Sequence, residues 1–296
     1  MKTITILSLG AGVQSSTILL MACQGELPKP DAAVFADTGW EPQAVYDHLA
    51  WLETQARVAG IPIYRVATGN LKDDLLREVR GEGTGRVGHI GQPPFYVKNT
   101  NQFTPEVRIV PTLWGDEAQV VSPADRGGRL WRKCTQEYKL IPIRRRSRAL
   151  MREAEARHVD QWIGISTDEA HRVKPSGVRY ITNRYPLLDK GMSRQDCLRW
   201  VTARGYSLPP KSSCLGCPFH SDAYWVQLRE DSPTEWAETV VVDQAIRHGI
   251  PGVRGAAYMH RSCVPLDEVQ FHPRPEKEEA QLCWDWTAEC EGICGV

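Results

Sequence analysis

Residues 3–7 are apolar and β-branched, Ser15–Cys23 has the composition of a buried helix, and Ala32–Ala36 is a second short apolar run after a loop containing Pro and Gly. This order predicts a βαβ unit. Val45, Leu49, Leu52, Ala56 and Ala59 recur near helical spacing and predict a helix over Tyr46–Ala59, and Ile61–Val66 supplies a third strand. Strands alternating with helices predict an α/β domain with a parallel, doubly wound sheet.

The periodicity is lost between residues 81 and 128, where Gly81, Gly83, Gly85, Gly88, Gly91, Pro93, Pro94, Pro105 and Pro111 punctuate the chain. A stretch of that length within a compact domain is expected to be a lid or a loop-like insert. Pattern returns with a helix over Pro142–His158, rich in Arg and Ala, and a strand over Gln161–Ile165. Ser193 is placed to cap a helix running through Ala203 and ending at Gly205, and further helices are expected around 223–229 and 233–248. The domain reading is a nucleotide-binding domain over 1–220, carrying the insert 81–128, and a helical C-terminal region with a cysteine-rich tail over 221–296.

The turn Ser8-Leu9-Gly10-Ala11-Gly12-Val13-Gln14-Ser15-Ser16 follows the first strand directly. Gly10 and Gly12 permit positive φ and close backbone approach, and Ser8, Ser15 and Ser16 place hydroxyls beside a helix N-terminus, a combination suited to phosphate. The plain alternative is a βα turn that uses Gly for geometry and Ser as a cap. The turn matches neither G-x-G-x-x-G nor G-x-x-x-x-G-K-[ST], which disfavours dehydrogenases and Walker-type NTPases.

With 296 residues, the chain exceeds the usual single-domain size, and its 36 Lys plus Arg balance 36 Asp plus Glu. Net charge therefore gives no argument for nucleic acid or a membrane surface. No apolar run reaches membrane-spanning length and the first strand lacks the flanks of a signal peptide, so the expected compartment is the cytoplasm. Nine cysteines in that compartment point to metal or redox chemistry rather than disulfides.

Four segments in order carry a family resemblance. Ser8-x-Gly10 with Gln14-Ser15-Ser16 resembles the PP-loop of the ATP pyrophosphatases, the adenine nucleotide alpha-hydrolase superfamily, in its phosphoadenosine phosphosulfate (PAPS) reductase branch. Asp37-Thr38-Gly39 is similar to that family's adenosine-contacting segment after the second strand. Gly164 through Arg172, including Asp168, resembles its G-x-R/S-x-x-E-x-x-R segment, and Tyr185-Pro186-Leu187-Leu188-Asp189 resembles the stretch before its substrate-side helix. The match covers roughly 3–66 and 130–220. It implies nucleotide contacts from Ser8, Gly10, Gly12, Gln14, Ser15, Ser16, Asp37, Thr38, Gly39, Gly164 and Arg172. The loop lacks the family's usual Asp, which leaves Asp37 and Asp168 as candidate Mg²⁺ ligands.

The C-x-x-C of Cys214 and Cys217 is spaced as two ligands of one metal centre, and Cys134 in Lys133-Cys134-Thr135 stands eighty positions before it. The same spacing is similar to that of adenylyl-sulfate reductases and implies a 4Fe-4S cluster, with Cys263 as the fourth ligand or the fourth iron open to sulfide. The alternatives are Zn²⁺ held by Cys134, Cys214, Cys217 and His220, or no metal. Cys290 in the tail resembles the nucleophilic cysteine of sulfonucleotide reductases, and with Asp168 it forms the candidate catalytic pair. Cys283 and Cys294 flank it. Cys23 and Cys197 read as buried helix residues.

Arg132, Lys133, Lys139, Arg144 and Arg261 are the candidate ligands of a substrate phosphate, the alternative being a solvated face. Two enzymatic readings follow. In one, ATP adenylates an acceptor with pyrophosphate release and a sulfur donor then thiolates that nucleic-acid or nucleotide acceptor. In the other, the chain reduces PAPS or adenylyl sulfate to sulfite with a thioredoxin-like reductant. A nucleotide or cluster sensor without turnover is the non-enzymatic reading, and a homodimer is compatible with each.

Overall fold

A computed structural model describes residues 2–82, 91–98, 106–112, 115–121, 128–253 and 255–273, with 106–112 and 115–121 described by backbone alone. In chain order the elements begin β1 (Thr3–Leu9), α1 (Val13–Cys23), β2 (Ala32–Asp37), α2 (Gln43–Ala59), β3 (Ile63–Ala67) and α3 (Leu71–Val79). Four short strands follow, β4 (Tyr96–Lys98), β5 (Glu106–Thr112), β6 (Gly115–Val121) and β7 (Gly128–Arg129). A π-helical turn over Thr135–Leu140 leads into α4 (Ile141–Glu153), then β8 (His158–Trp162), β9 (Ile181–Arg184), α5 (Pro186–Asp189) and α6 (Arg194–Ala203). The chain continues through α7 (Asp222–Asp231), α8 (Pro233–Gly249) and β10 (Ala256–Tyr258).

Two compact units divide these elements, the first comprising residues 2–71 and 134–215. Its sheet is parallel throughout, in the order β3-β2-β1-β8-β9. Register sets the two faces. Leu7 stands beside Ala33 on one side and Trp162 on the other, and this row joins Leu9 and Phe35 in a core packed with residues of α1, α2 and α6. The alternate residues Ile4, Ile6, Val34, Ala36, Val159 and Ile181 build the opposite core with Ile143 of α4. Burial on both faces explains why these strands read as continuous apolar runs.

The second unit comprises 72–133 and the described part of 216–288. It holds a small antiparallel sheet, β10-β4-β7, with α7 and α8, and β10 packs on α8. The segment 81–128, expected to be loop-like, instead contains β4 and an antiparallel hairpin in which Glu106 pairs with Val121 and Thr112 with Gly115. β4 is three residues long, and Pro105, Pro111 and Gly115 in and around the hairpin leave no clean periodic run to detect. The helix expected over 142–158 ends at Glu153, because Glu155 takes a positive φ of 52° that breaks it, and β8 starts at His158 rather than at Gln161. The helix α3 carried no sequence expectation. Ser193 caps α6 as expected, its hydroxyl accepting from the Asp196 N–H while the Asp196 carboxylate accepts from the Ser193 N–H, and Gly205 follows with φ 72°. Among the described residues no helix is long and apolar enough to cross a membrane.

Leu49 is fully buried between α2 and the sheet. Leu49→Ala is expected to destabilise the chain by about 2–5 kcal/mol, read from the urea unfolding midpoint.

Candidate functional site

The chain runs outward from β1 to β2 and β3 and then crosses back to β8 and β9, so the sheet changes direction of growth between β1 and β8. Ligand crevices in open α/β sheets form beyond the carboxyl ends of strands at that point. A crevice lies there, lined by Ser8, Gly10, Glu41, Lys139, Arg144 and Gln161, all in the first unit.

The turn after β1 is tied down from several directions. Gln161 of β8 donates to the Ser8 hydroxyl at 2.7 Å, Ser15 accepts from the Gly10 N–H at 3.1 Å, and Ser212 donates to the Gly10 carbonyl. The left-handed residue of the turn is Ala11, at φ 57°, whereas the N-cap Gly12 is extended at φ −93°. The expected use of Gly10 and Gly12 for positive φ is therefore corrected. What Gly12 provides is room, since a Cβ there would stand 3.3 Å from the Ser212 Cβ. Gly164 does the same from the other side: a Cβ there would lie 2.9 Å from the Ser15 nitrogen and 3.2 Å from the Gln14 carbonyl carbon. The backbone after β8 thus lies directly against the first turn of α1, and only glycine permits that approach.

Around the turn, Gln14 donates to Glu169 at 3.2 Å and to the Ser166 hydroxyl at 3.4 Å, and Glu169 also pairs with Arg172. Arg194 donates to Gln14, and the Arg194 N–H reaches the Asp168 carboxylate at 3.0 Å. Asp168 is exposed at the N-terminus of α6, a position that favours a carboxylate. Glu169, absent from the sequence-derived site residues, proves to be the hub joining Gln14 to Arg172. Its E-x-x-R spacing was the available signal. Ser16 bonds His48 of α2 at 3.0 Å, and burial pushes the His48 imidazole down to about 4. His48 was missed because α2 reads only as a core helix.

The segment after β2 is organised by Asp37, whose carboxylate accepts from the Gly39 N–H and from the Tyr46 hydroxyl, each at 2.8 Å. Burial and that carboxylate together raise the Tyr46 phenol above its ordinary value. Gly39 sits at φ 71°, and a Cβ there would collide with Asn70. The Thr38 side chain turns inward, donating to Glu41 at 3.1 Å and bonding the Cys214 sulfur at 3.2 Å.

Beneath this segment Lys139 Nζ lies 3.3 Å from Glu41, with side-chain exposures of only 7% and 1%. Burial opposes the charge on Lys139, but Glu41, Cys214 and Cys134 outweigh it and raise the ammonium above its usual range. Cys214 donates to Glu41 at 3.4 Å, and burial first, then Glu41, drives its thiol well above the ordinary value. The second carboxylate oxygen of Glu41 is buried and has no hydrogen-bond partner. Glu41 carried no sequence assignment, because only the tertiary fold brings Lys139 and Cys214 to it.

The sequence-derived metal and phosphate residues divide between the units. Cys134 and Cys214 belong to the first and converge on Lys139, whereas Cys217 and Cys263 belong to the second. Among the described residues no group of three His, Cys, Asp or Glu side chains stands as a metal site. Lys139 and Arg144 line the crevice, and Arg144 also donates to the Ser176 carbonyl at 2.9 Å. Arg132, exposed above the Phe219 ring, Lys133 and Arg261 lie in the second unit. Cys197 is fully buried, as expected. Cys283, Cys290 and Cys294 lie outside the described residues.

Below pH 6.5 the unfolded chain protonates His48, while the folded chain resists protonation until about pH 4. Stability present above pH 6.5 is expected to decline by about 1–3 kcal/mol as pH falls through that window, and His48→Gln should flatten the decline in urea titrations run at successive pH values. The chain matches no model of a known protein family, and no curated protein matches it.

Proposed function

We propose that the chain is an adenine-nucleotide-binding enzyme of the PP-loop type, similar to the PAPS reductase branch, that uses ATP to adenylate a nucleic-acid or nucleotide acceptor and couples this to sulfur transfer. The observation that carries the reading is the crevice at the carboxyl ends of β1 and β8, entered by the Gly10 turn and walled by Lys139 and Arg144. Such a place suits a phosphate chain, which backbone N–H groups and a helix N-terminus hold.

In this reading an acceptor oxygen attacks the α-phosphorus of ATP, the bond to the bridging oxygen breaks, and pyrophosphate leaves. A sulfur nucleophile then displaces AMP from the activated acceptor, so the two steps need no net oxidant. Arg144 and the Gly10 turn hold phosphate, and the buried Lys139–Glu41 pair fixes the crevice wall. Asp168 serves to set the α6 terminus beside Gln14 rather than to touch the reacting atoms. An Mg²⁺ ion would neutralise charge on the leaving pyrophosphate. A 4Fe-4S cluster would supply or carry sulfur; of the four cysteines assigned to it, Cys134, Cys214, Cys217 and Cys263, the first two belong to the first unit.

Purified chain incubated with ATP, Mg²⁺, hydrosulfide and either tRNA or duplex DNA is expected to release pyrophosphate. Gly164→Ala should weaken ATP binding at least tenfold by calorimetry, because its methyl displaces the α1 first turn. Absence of both ATP binding and pyrophosphate sinks the reading, and sulfite from PAPS without pyrophosphate from ATP replaces it with a reductase. Anaerobically purified protein should show a broad absorption band at about 400 nm that Cys214→Ser removes; stoichiometric zinc without iron removes the cluster from the proposal.

A further inference from the structure

The second unit contains a constellation that the nucleotide reading does not use. Asp222, the first residue of α7, is buried, and its carboxylate faces His260 Nε2 at 3.1 Å. The other ring nitrogen of His260 stands 2.7 Å from the Ser262 hydroxyl and 3.2 Å from the Ser262 backbone N–H. That N–H can only donate, so Nδ1 must carry the lone pair and the ring proton must sit on Nε2, pointing at Asp222. The tautomer that results leaves Nδ1 able to take the proton of Ser262. The ring nitrogens are exchanged relative to the usual serine hydrolase arrangement, but the order of roles, carboxylate to imidazole to hydroxyl, is the same.

The surroundings support reactivity rather than simple packing. His260 is buried, whereas Ser262 is exposed at a cavity lined by Arg261, Val264, Glu268, Val269 and Gln270. Asp222 is held on three sides, by His260, by Arg261 at 2.6 Å and by the His272 N–H at 2.9 Å. Cys263, directly after the serine, takes φ 52°, and its N–H closes a turn onto the His260 carbonyl at 3.1 Å, so the serine is fixed in place by the backbone. Arg261 is already neutralised by Asp222, which argues against a site for free phosphate here.

We propose that Asp222, His260 and Ser262 form a second, serine-nucleophile site that cleaves a carboxylic ester entering from the cavity beside Val264 and Val269. The Ser262 oxygen bonds to the carbonyl carbon and its proton passes to His260 Nδ1. The ester C–O bond breaks as that proton passes on to the departing alkoxide. Water then attacks the acyl-serine, giving its proton to the same nitrogen, and the acid leaves as Ser262 is restored. Atoms and charges balance with water alone as co-reactant. Asp222 is a positioning residue, acting through the imidazole.

The test uses the full chain and a fluorophosphonate probe, with peptide mass spectrometry to place the adduct. The expected result is one stoichiometric adduct on Ser262, absent in Ser262→Ala, with p-nitrophenyl acetate hydrolysis lost in the same variant. His260→Gln should slow labelling at least tenfold. No adduct on Ser262 in the folded wild-type chain overturns the proposal, whether or not the histidine variant folds, and so does labelling of His260→Gln at the wild-type rate. ATP binding and pyrophosphate release are expected to be unchanged in Ser262→Ala, so this proposal and the nucleotide reading stand or fall separately.

Discussion

A lysine and a glutamate, both withdrawn from water and 3.3 Å apart, hold together the part of the first unit in which chemistry is proposed. Glu41 comes from the turn after β2, and Lys139 from the π-helical turn that leads into α4. Removing one partner of such a pair leaves an uncompensated buried charge, a cost of about 3–5 kcal/mol. Their mutual dependence fixes the turn after β2 to the base of α4, and Thr38 and Cys214 take their places from the same carboxylate.

The glutamate is also the least settled group in the crevice. One oxygen receives Lys139, Thr38 and Cys214, while the other is buried without a partner. An unsatisfied buried carboxylate oxygen is costly, so the Lys139, Thr38 and Cys214 contacts to the other oxygen carry the compensation for burying this charge. Burial first, and then the same carboxylate, raises the Cys214 thiol, since a thiolate there would be a second negative charge in a dry environment.

On the opposite side of the Gly10 turn the constraint is steric. Gly164 lets the chain after β8 touch the backbone of α1, and Gln14, Glu169, Arg172 and Arg194 close over the contact with hydrogen bonds and an ion pair. A turn gripped on one side by backbone contact and on the other by Ser212 has little freedom left.

The α/β class, the parallel sense of the first three strands and the Ser193 cap were legible in the sequence because they depend on local periodicity and on side chains within a few positions of one another. The position of the Gly10 turn was legible for the same reason, directly after an apolar strand and before a helix. Its left-handed residue, Ala11, was not, since the turn's neighbouring Ser8 and Gly10 are bonded by Gln161 and Ser212, which are remote in sequence. Cys134 and Cys214 stood out by type and spacing, but their convergence on Lys139, and the roles of Glu41, His48 and Glu169, were decided by which distant segments the sheet brings together. Asp222, His260 and Ser262 show the limit most clearly: the two neighbours in H-x-S are visible in the chain, while the carboxylate that fixes the ring's proton comes from 38 residues earlier and enters only through folding. Local patterns set the elements, and long-range packing and the cost of burying charge chose the partners.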